Sequence, residues 1–287
     1  MIYKIHYPDD AGKKFEMITY PAGETQIRLL DSELEAVAEA KQIQVTARIT
    51  HGEIMPLALL TDALRAANGG NAENTVLTLP YLPYSRADRR FTLGDCAGLQ
   101  TFGAMINELG YSLVVTLDAH SAAAKRYIAN LYNVKPELLI HRAMTYINKD
   151  LAVILPDEGA RRYSLPNTVQ CRKKRDPKTG ALFGFQVPPI PGEGKRSALI
   201  VDDICDGGGT FLGIAQEIVG DVDLYLYVTH GIFSKGFKDL HANFKGIYTS
   251  DSLLSISDGA TVLPADEIID SAIYGLLGGD FYDRMPE

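Results

Sequence analysis

The sequence predicts an α/β fold with mainly parallel sheets flanked by helices, arranged as two related halves. Short β-rich runs alternate with stretches of helical periodicity, the pattern of strands joined by crossover helices. Two of these runs end in polar turns, Val114–Ser121 (Val-Val-Thr-Leu-Asp-Ala-His-Ser) and Ser197–Thr210, at the strand edge where open α/β sheets bind ligands. A length of 287 residues suits two cores rather than one, and the pattern places the domains at 1–145 and 146–287.

Taken in order, Val76–Leu79 and Leu113–Leu117 read as buried strands of the first half. Helices are expected at Ile54–Ala67, with Leu57, Leu60 and Leu64 on one face, and at Gly98–Leu109. Strands of the second half are expected at Leu151–Leu155, Ala198–Val201 and Leu224–Val228. Phe183–Lys195, rich in Gly and Pro, reads as an irregular excursion.

Composition narrows the class. A net charge of -8 and a pI near 5.3 argue against a nucleic-acid or membrane-surface partner, which calls for a basic face. No apolar run approaches spanning length and no basic, apolar leader opens the chain, so a cytoplasmic protein is expected. Cys96, Cys171 and Cys205 are scattered without a CxxC pair, which fits a reducing compartment and no zinc site.

The most informative segment is Ser197–Thr210. An apolar strand runs into Asp202, Asp203 and Asp206, bends through Gly207, Gly208 and Gly209, and reaches Thr210. Phe211, Leu212, Ile214, Ala215 and Ile218 then recur at helical spacing. Backbone N–H groups in front of a helix N-terminus suit a phosphate, and Thr210 is expected to cap the helix and offer its hydroxyl. Two carboxylates would repel a bare phosphate, so the ligand should also bring hydroxyl donors or a divalent cation. A sugar phosphate meets both demands. The competing reading is a glycine-rich acidic surface turn.

Other segments carry alternatives of the same kind. Arg86, Arg89 and Arg90 surround Asp88 just after a strand, either a polyphosphate site or a solvated charge run. His120 is either a metal ligand or phosphate partner, or a structural hydrogen-bonding residue. Asp157 ends another apolar strand before glycine, and with His120 it could share a Mg²⁺ site completed by water and phosphate oxygens. Arg172-Lys173-Lys174-Arg175 is a solubilising loop, a localisation signal, or a mobile loop whose cations close over a transferring phosphoryl group.

In this order, the segments resemble the ribose-phosphate pyrophosphokinase (phosphoribosyl pyrophosphate synthetase) family. Asp202, Asp203 and Asp206-Gly207-Gly208-Gly209-Thr210 resemble the family's acidic pair followed by Asp-Thr-Ala-Gly-Thr. Pro83–Arg89 is similar to its Gly-Tyr-Ala-Arg-Gln-Asp-Arg, and Asp118-Ala119-His120-Ser121 to its Asp-Leu-His-Ala. Pro156-Asp157-Glu158-Gly159 resembles its Pro-Asp-x-Gly, Lys173-Lys174-Arg175 its Lys-x-Arg, and Tyr20–Glu24 its Phe-x-Asp-Gly-Glu. Thr229–Phe233 is also family-like.

The resemblance implies two domains of the type I phosphoribosyltransferase fold and transfer of the diphosphoryl group of ATP to the 1-hydroxyl of ribose 5-phosphate. It implies that Glu24, Arg86, Asp88, Arg89 and His120 bind ATP, and that His120 and Asp157 hold Mg²⁺. Lys173 and Arg175 are then the catalytic pair, and Asp202, Asp203 and Asp206–Thr210 bind ribose 5-phosphate. It also implies a homo-oligomer in which Glu24 reaches a neighbouring subunit's ATP. Ala22 stands where the family has aspartate, Ala87 where it has glutamine, and Gly207-Gly208 where it has Thr-Ala. The alternatives are a type I phosphoribosyltransferase that consumes phosphoribosyl pyrophosphate, and a non-catalytic regulatory homologue of the synthetase.

Overall fold

In the computed structural model the described residues are 2–8, 13–50, 53–70, 74–175, 182–191, 196–253 and 258–277; for Arg161, 173–175 and 182–183 the backbone alone is described. Contacts divide the chain into two compact units, Met1–Val134 with Asp266–Glu287, and Lys135–Ala265.

The first unit runs β1 (Ile2–Tyr7), β2 (Phe15–Thr19), β3 (Thr25–Leu29), α1 (Asp31–Ala38), β4 (Gln42–Ala47), α2 (Ile54–Ala67), β5 (Thr75–Leu79), α3 (Gly98–Glu108), β6 (Leu113–Leu117), α4 (Ala124–Tyr127) and β7 (Leu131–Val134). Its sheet is parallel throughout, in the order β1-β4-β5-β6-β7, and β2 and β3 form a separate antiparallel hairpin. β5 is buried along its whole length, as a central parallel strand covered on both faces must be. Helix α2 lays Leu57, Leu60 and Leu64 into the core with Ile43, Leu77 and Leu79.

The second unit runs α5 (Glu137–Ile147), β8 (Ala152–Leu155), a 3₁₀ turn (Glu158–Arg162), β9 (Thr168–Gln170), β10 (Arg172–Arg175), β11 (Leu182–Gln186), β12 (Arg196–Cys205), α6 (Gly209–Glu217), β13 (Val222–Gly231), α7 (Lys238–Asn243), β14 (Gly246–Ser250) and β15 (Thr261–Leu263). Its sheet is also parallel, ordered β15-β14-β13-β12-β8-β9. Ile154, Ile200, Leu226, Phe211 and Ile214 lie in its core. The expected α/β class with two parallel sheets is therefore what the chain adopts.

Three expectations need correction. The division falls at 134/135, not 145/146, because α5 packs beside β15 in the second unit. The terminal helix α8 (Asp266–Leu277) returns to the first unit beside β6 and β7, where Asp266 pairs with Arg48 at 2.8 Å and Asp270 with Lys4 at 2.8 Å.

The second correction concerns residues 172–175. They form a strand, not a loop, and pair antiparallel with β11, which occupies the start of the supposed irregular excursion. The hairpin holds because Phe185 is buried against α6: a Cβ added to Gly213 would lie 2.8 Å from its ring. Third, β12 runs past Val201 to Cys205, since β13 continues to pair alongside it at Asp202↔Val228, Ile204↔His230 and Cys205↔Gly231.

Among the described residues, no helix is long and apolar enough to cross a membrane.

Candidate active site

In the first unit, the residues after β5 and β6 meet at the carboxyl edge of the sheet. The chain leaves β5 through a turn with Tyr84 at φ 60°, and the Ala87 N–H donates to the Tyr84 carbonyl at 2.9 Å. Gly98 opens α3 directly against this turn; a Cβ there would lie 2.9 Å from Tyr84 Cδ1 and 3.0 Å from Ala87 Cβ. The close approach fixes the segment that carries Arg86, Asp88 and Arg89.

Arg89 grips Asp88 with two nitrogens, Nε at 2.9 Å and Nη2 at 3.3 Å, while Arg90 Nε donates to the Asp95 carbonyl at 3.0 Å. The Arg89 hydrogen bond holds the Asp88 carboxyl below its ordinary range; burial works against this, and Ser121 and the His120 charge add to it. Asp88 thus ties the arginine segment to the loop after β6.

That loop is shaped by Asp118, buried and at φ 45°, whose N–H donates to the Val134 carbonyl at 2.9 Å. The next N–H, of Ala119, donates to Asn133 Oδ1 at 2.9 Å, which leaves His120 exposed at the edge. Glu24 lies elsewhere, at the exposed tip of the β2–β3 hairpin, in a turn closed by Gly23 at φ 90°.

In the second unit the same edge is acidic. Asp157 caps the 3₁₀ turn, accepting the Gly159 N–H at 2.9 Å. Arg162, from the end of that turn, donates to the Gly159 carbonyl at 3.2 Å and the Tyr163 hydroxyl at 2.7 Å, and pairs with buried Asp203 at 3.1 Å. Among the described residues, Asp202 has no such arginine. Its pKa stands well above the ordinary carboxylate value, first through burial and then through the charge of Asp203, with Asp157 adding to it; acceptance of the Asp203 N–H opposes the rise.

Beyond Cys205 the chain turns through Asp206, Gly207 and Gly208, and Gly208 sits at φ 76° as the N-cap of α6. Thr210 is therefore the second residue of the helix and not its cap, a correction to the sequence reading. The left-handed Gly208 lets the helix begin one residue before Thr210. Gly208 has no side chain to cap with; the Phe211 and Leu212 N–H groups both donate to its carbonyl at 3.0 Å, and the first two helical N–H groups, of Gly209 and Thr210, are those a helix start leaves without an intrahelical acceptor. Burial, with the Asp206 charge, pushes the Cys205 thiol up to about 12, so it is no nucleophile at neutral pH.

Lys173 lies opposite Phe185 in the β10–β11 ladder and Arg175 opposite Leu182, so the hairpin that carries them is anchored on α6, the helix that follows the glycine turn.

The sequence reading missed Asn133, Arg162 and Ser234 as residues that shape these turns. Asn133 ends β7, outside every motif, and only the sheet order brings it beside the loop after β6; Arg162 closes the turn that Asp157 caps, but its pairing with Asp203 comes from the adjacency of β8 and β12.

Among the described residues, no group of three or more His, Cys, Asp or Glu side chains is placed to hold a metal ion. The proposed ligands fall on different units, His120 on the first and Asp157 on the second. The donor chemistry of the second unit nevertheless fits a cation: the charges of Asp203 and Asp157 both act on Asp202, and Arg162 pairs with Asp203 alone of the three.

No family model matches the chain. Among curated proteins it is similar to ribose-phosphate pyrophosphokinases. That of Cereibacter sphaeroides is 30% identical over 207 residues, covering 67% of this chain and 60% of the relative. That of Bradyrhizobium diazoefficiens is 26% identical over 257 residues, covering 82% and 78%. That of Methanopyrus kandleri is 29% identical over 212 residues, covering 70% and 72%.

The chain belongs to the ribose-phosphate pyrophosphokinase family.

Relative to the first of these family members, the matched region spans 60% of the relative's own length. The crystal structure of phosphoribosylpyrophosphate synthetase from Mycobacterium smegmatis has the same fold. It matches with a TM-score of 0.71 at 20% identity, over 92% of this chain and 90% of that one.

Proposed function

We propose that this chain transfers the diphosphoryl group of ATP to the 1-hydroxyl of ribose 5-phosphate, giving phosphoribosyl pyrophosphate and AMP. The observation that carries this reading is the end of β12: a left-handed Gly208 opens a helix N-terminus to an anion, directly after a carboxylate pair suited to hydroxyl groups.

In this reading the phosphate of ribose 5-phosphate sits on Gly207–Thr210, and Asp202 and Asp203 accept hydrogen bonds from the ribose hydroxyls. Arg162 pairs with Asp203 and fixes it, so the sugar meets a preset acceptor. On the first unit, Arg86 and Arg89 bind the ATP phosphates, and Asp88 orients Arg89 and, through Ser121, the His120 loop. Glu24, at its exposed hairpin tip, reaches the ATP of a second copy in a homo-oligomer.

The 1-hydroxyl attacks the β-phosphorus in line. Lys173 and Arg175 stabilise charge on the β,γ-oxygens and on the departing AMP oxygen. His120 and Asp157 would hold Mg²⁺, which supplies Lewis-acid charge to the phosphate oxygens when bound. Reactants and product of this kind place the enzyme in the cytoplasm. Type I transferase chemistry would instead consume phosphoribosyl pyrophosphate with a free nucleobase.

Incubation with ATP, Mg²⁺ and ribose 5-phosphate should yield AMP and a pyrophosphorylated sugar in equal amounts. Folded protein that forms neither, or that consumes phosphoribosyl pyrophosphate with a nucleobase, would overturn the reading.

A further inference from the structure

The glycine turn has a neighbour that no motif includes. After β13 the chain folds back along the end of β12: the Ile232 and Phe233 N–H groups donate to the Cys205 carbonyl at 2.8 and 3.1 Å, and the Ser234 N–H to the Asp206 carbonyl at 3.2 Å. The Ser234 hydroxyl also donates to Asp206 Oδ1 at 2.5 Å. Phe233, buried and with its ring 4.5 Å from that of Phe237, anchors this loop to the core. These bonds fix the position of the next residue, Lys235.

The side chain of Lys235 lies across Gly207. A Cβ added to Gly207 would stand 3.1 Å from both Cδ and Cε of Lys235 and 3.4 Å from Cγ. Gly207 has an ordinary backbone conformation, unlike Gly208, so its lack of a side chain answers to the lysine stem and not to the turn. Among the described residues the Lys235 ammonium has no hydrogen bond or ion pair.

Charge explains what that ammonium is for. From Asp202 to Glu217 the chain contains no Lys, Arg or His, while Asp202, Asp203 and Asp206 are all acidic. An anion on the turn would meet backbone dipoles and the Thr210 hydroxyl, but no formal positive charge from this segment. The Lys235 ammonium lies one bond beyond Cε, which stands 3.1 Å from where a Gly207 Cβ would be.

We propose that Lys235 is a phosphate ligand of the glycine turn, with Gly207 kept small so that its stem can cross. This rests on the acceptor reading above and adds a residue to that same site. A compact ammonium here offsets the Asp206 charge and donates to a phosphate oxygen already held by the turn. The hydroxyl lost where the family has threonine is thereby replaced by a cation from another strand end.

The test is calorimetric titration of wild type, Lys235→Met and Lys235→Arg with ribose 5-phosphate, alongside steady-state kinetics. Lys235→Met keeps the aliphatic stem over Gly207 and removes only the charge, and melting curves should coincide with wild type. It should weaken ribose 5-phosphate binding about tenfold or more and flatten the salt dependence, leaving the KM for ATP unchanged. Lys235→Arg should retain most of the affinity. Gly207→Thr should be harmful alone and tolerated with Lys235→Gly, where the stem no longer occupies the space.

Equal ribose 5-phosphate affinity in wild type and Lys235→Met would overturn this inference and leave the acceptor reading standing. So would equal weakening by Met and Arg, which would mean that packing and not charge is at stake. A folded wild type that binds no ribose 5-phosphate would overturn both.

Discussion

The carboxyl edges of the two sheets are built as opposites. In the first unit Arg86, Arg89 and Arg90 flank Asp88 along the chain, and Arg89 holds Asp88 in a two-point grip. In the second, Asp202 lies under the charges of Asp203 and Asp157, and Arg162 holds Asp203. In the proposed reading the first edge takes a polyphosphate and the second a polyol and a cation. In both, the minority charge pairs with one member of the majority and fixes it. Positioning is thus built in before any substrate arrives, which matters for a reaction that depends on alignment and charge more than on a covalent intermediate.

Substitutions on the two edges should therefore separate cleanly. The largest effect belongs to neither edge: Lys173→Ala, on the hairpin anchored to α6, should lower kcat by about a hundredfold or more by loss of one transition-state charge contact. Calorimetric binding of ribose 5-phosphate should persist; equal loss of binding would place Lys173 in the ground state.

Next is Arg86→Ala, which should raise the KM for ATP about tenfold while leaving that for ribose 5-phosphate within about twofold, from loss of one charged hydrogen bond. A matching rise in both would blur the division between the edges.

Asp202→Asn should oppose function to stability. The folded-state pKa of Asp202 is raised, so the folded protein holds a proton that the unfolded chain has released, and stability falls as pH rises through the window above the ordinary carboxylate value. Asparagine removes that penalty. The variant should melt higher than wild type at pH 7, with the difference vanishing in acid, yet bind ribose 5-phosphate more weakly. A lower melting temperature at pH 7 would mean that Asp202 is not the strained member of the trio.

The smallest effect is structural. Gly208→Ala forces an alanine to φ 76° and places its Cβ 3.0 Å from Leu240, costing about 1–2 kcal/mol of stability in denaturant titration. Unchanged stability would show that the turn is not held left-handed.

Much of this was legible in the residues. Strands such as Leu113–Leu117 and the helix Ile54–Ala67 announce themselves, because a largely buried strand reads as an apolar run and α2 as a leucine stripe. The end of β12 was harder. Two aspartates and a cysteine look like the start of a loop, and only pairing with β13 keeps them in a strand. Arg172–Arg175 failed for the same reason: a run of four cations has no strand signature, and its partner is recruited by Phe185 packing on Gly213. The return of α8 to the first unit rests on long-range ion pairs, Arg48–Asp266 and Lys4–Asp270, that no local pattern encodes. Of the site, the motif residues could be read; the residues that hold them, Asn133, Arg162, Ser234 and Lys235, come from neighbouring strand ends and appear only when the sheet is assembled.

The central claim is that two phosphoryl groups move together to the sugar. ATP labelled at the β-phosphorus, incubated with Mg²⁺ and ribose 5-phosphate, tests it most directly by ³¹P NMR or product chromatography. The label should appear in a diphosphate on carbon 1 of the sugar, with AMP unlabelled. Label retained in ADP, with a single phosphate on the sugar, would contradict it.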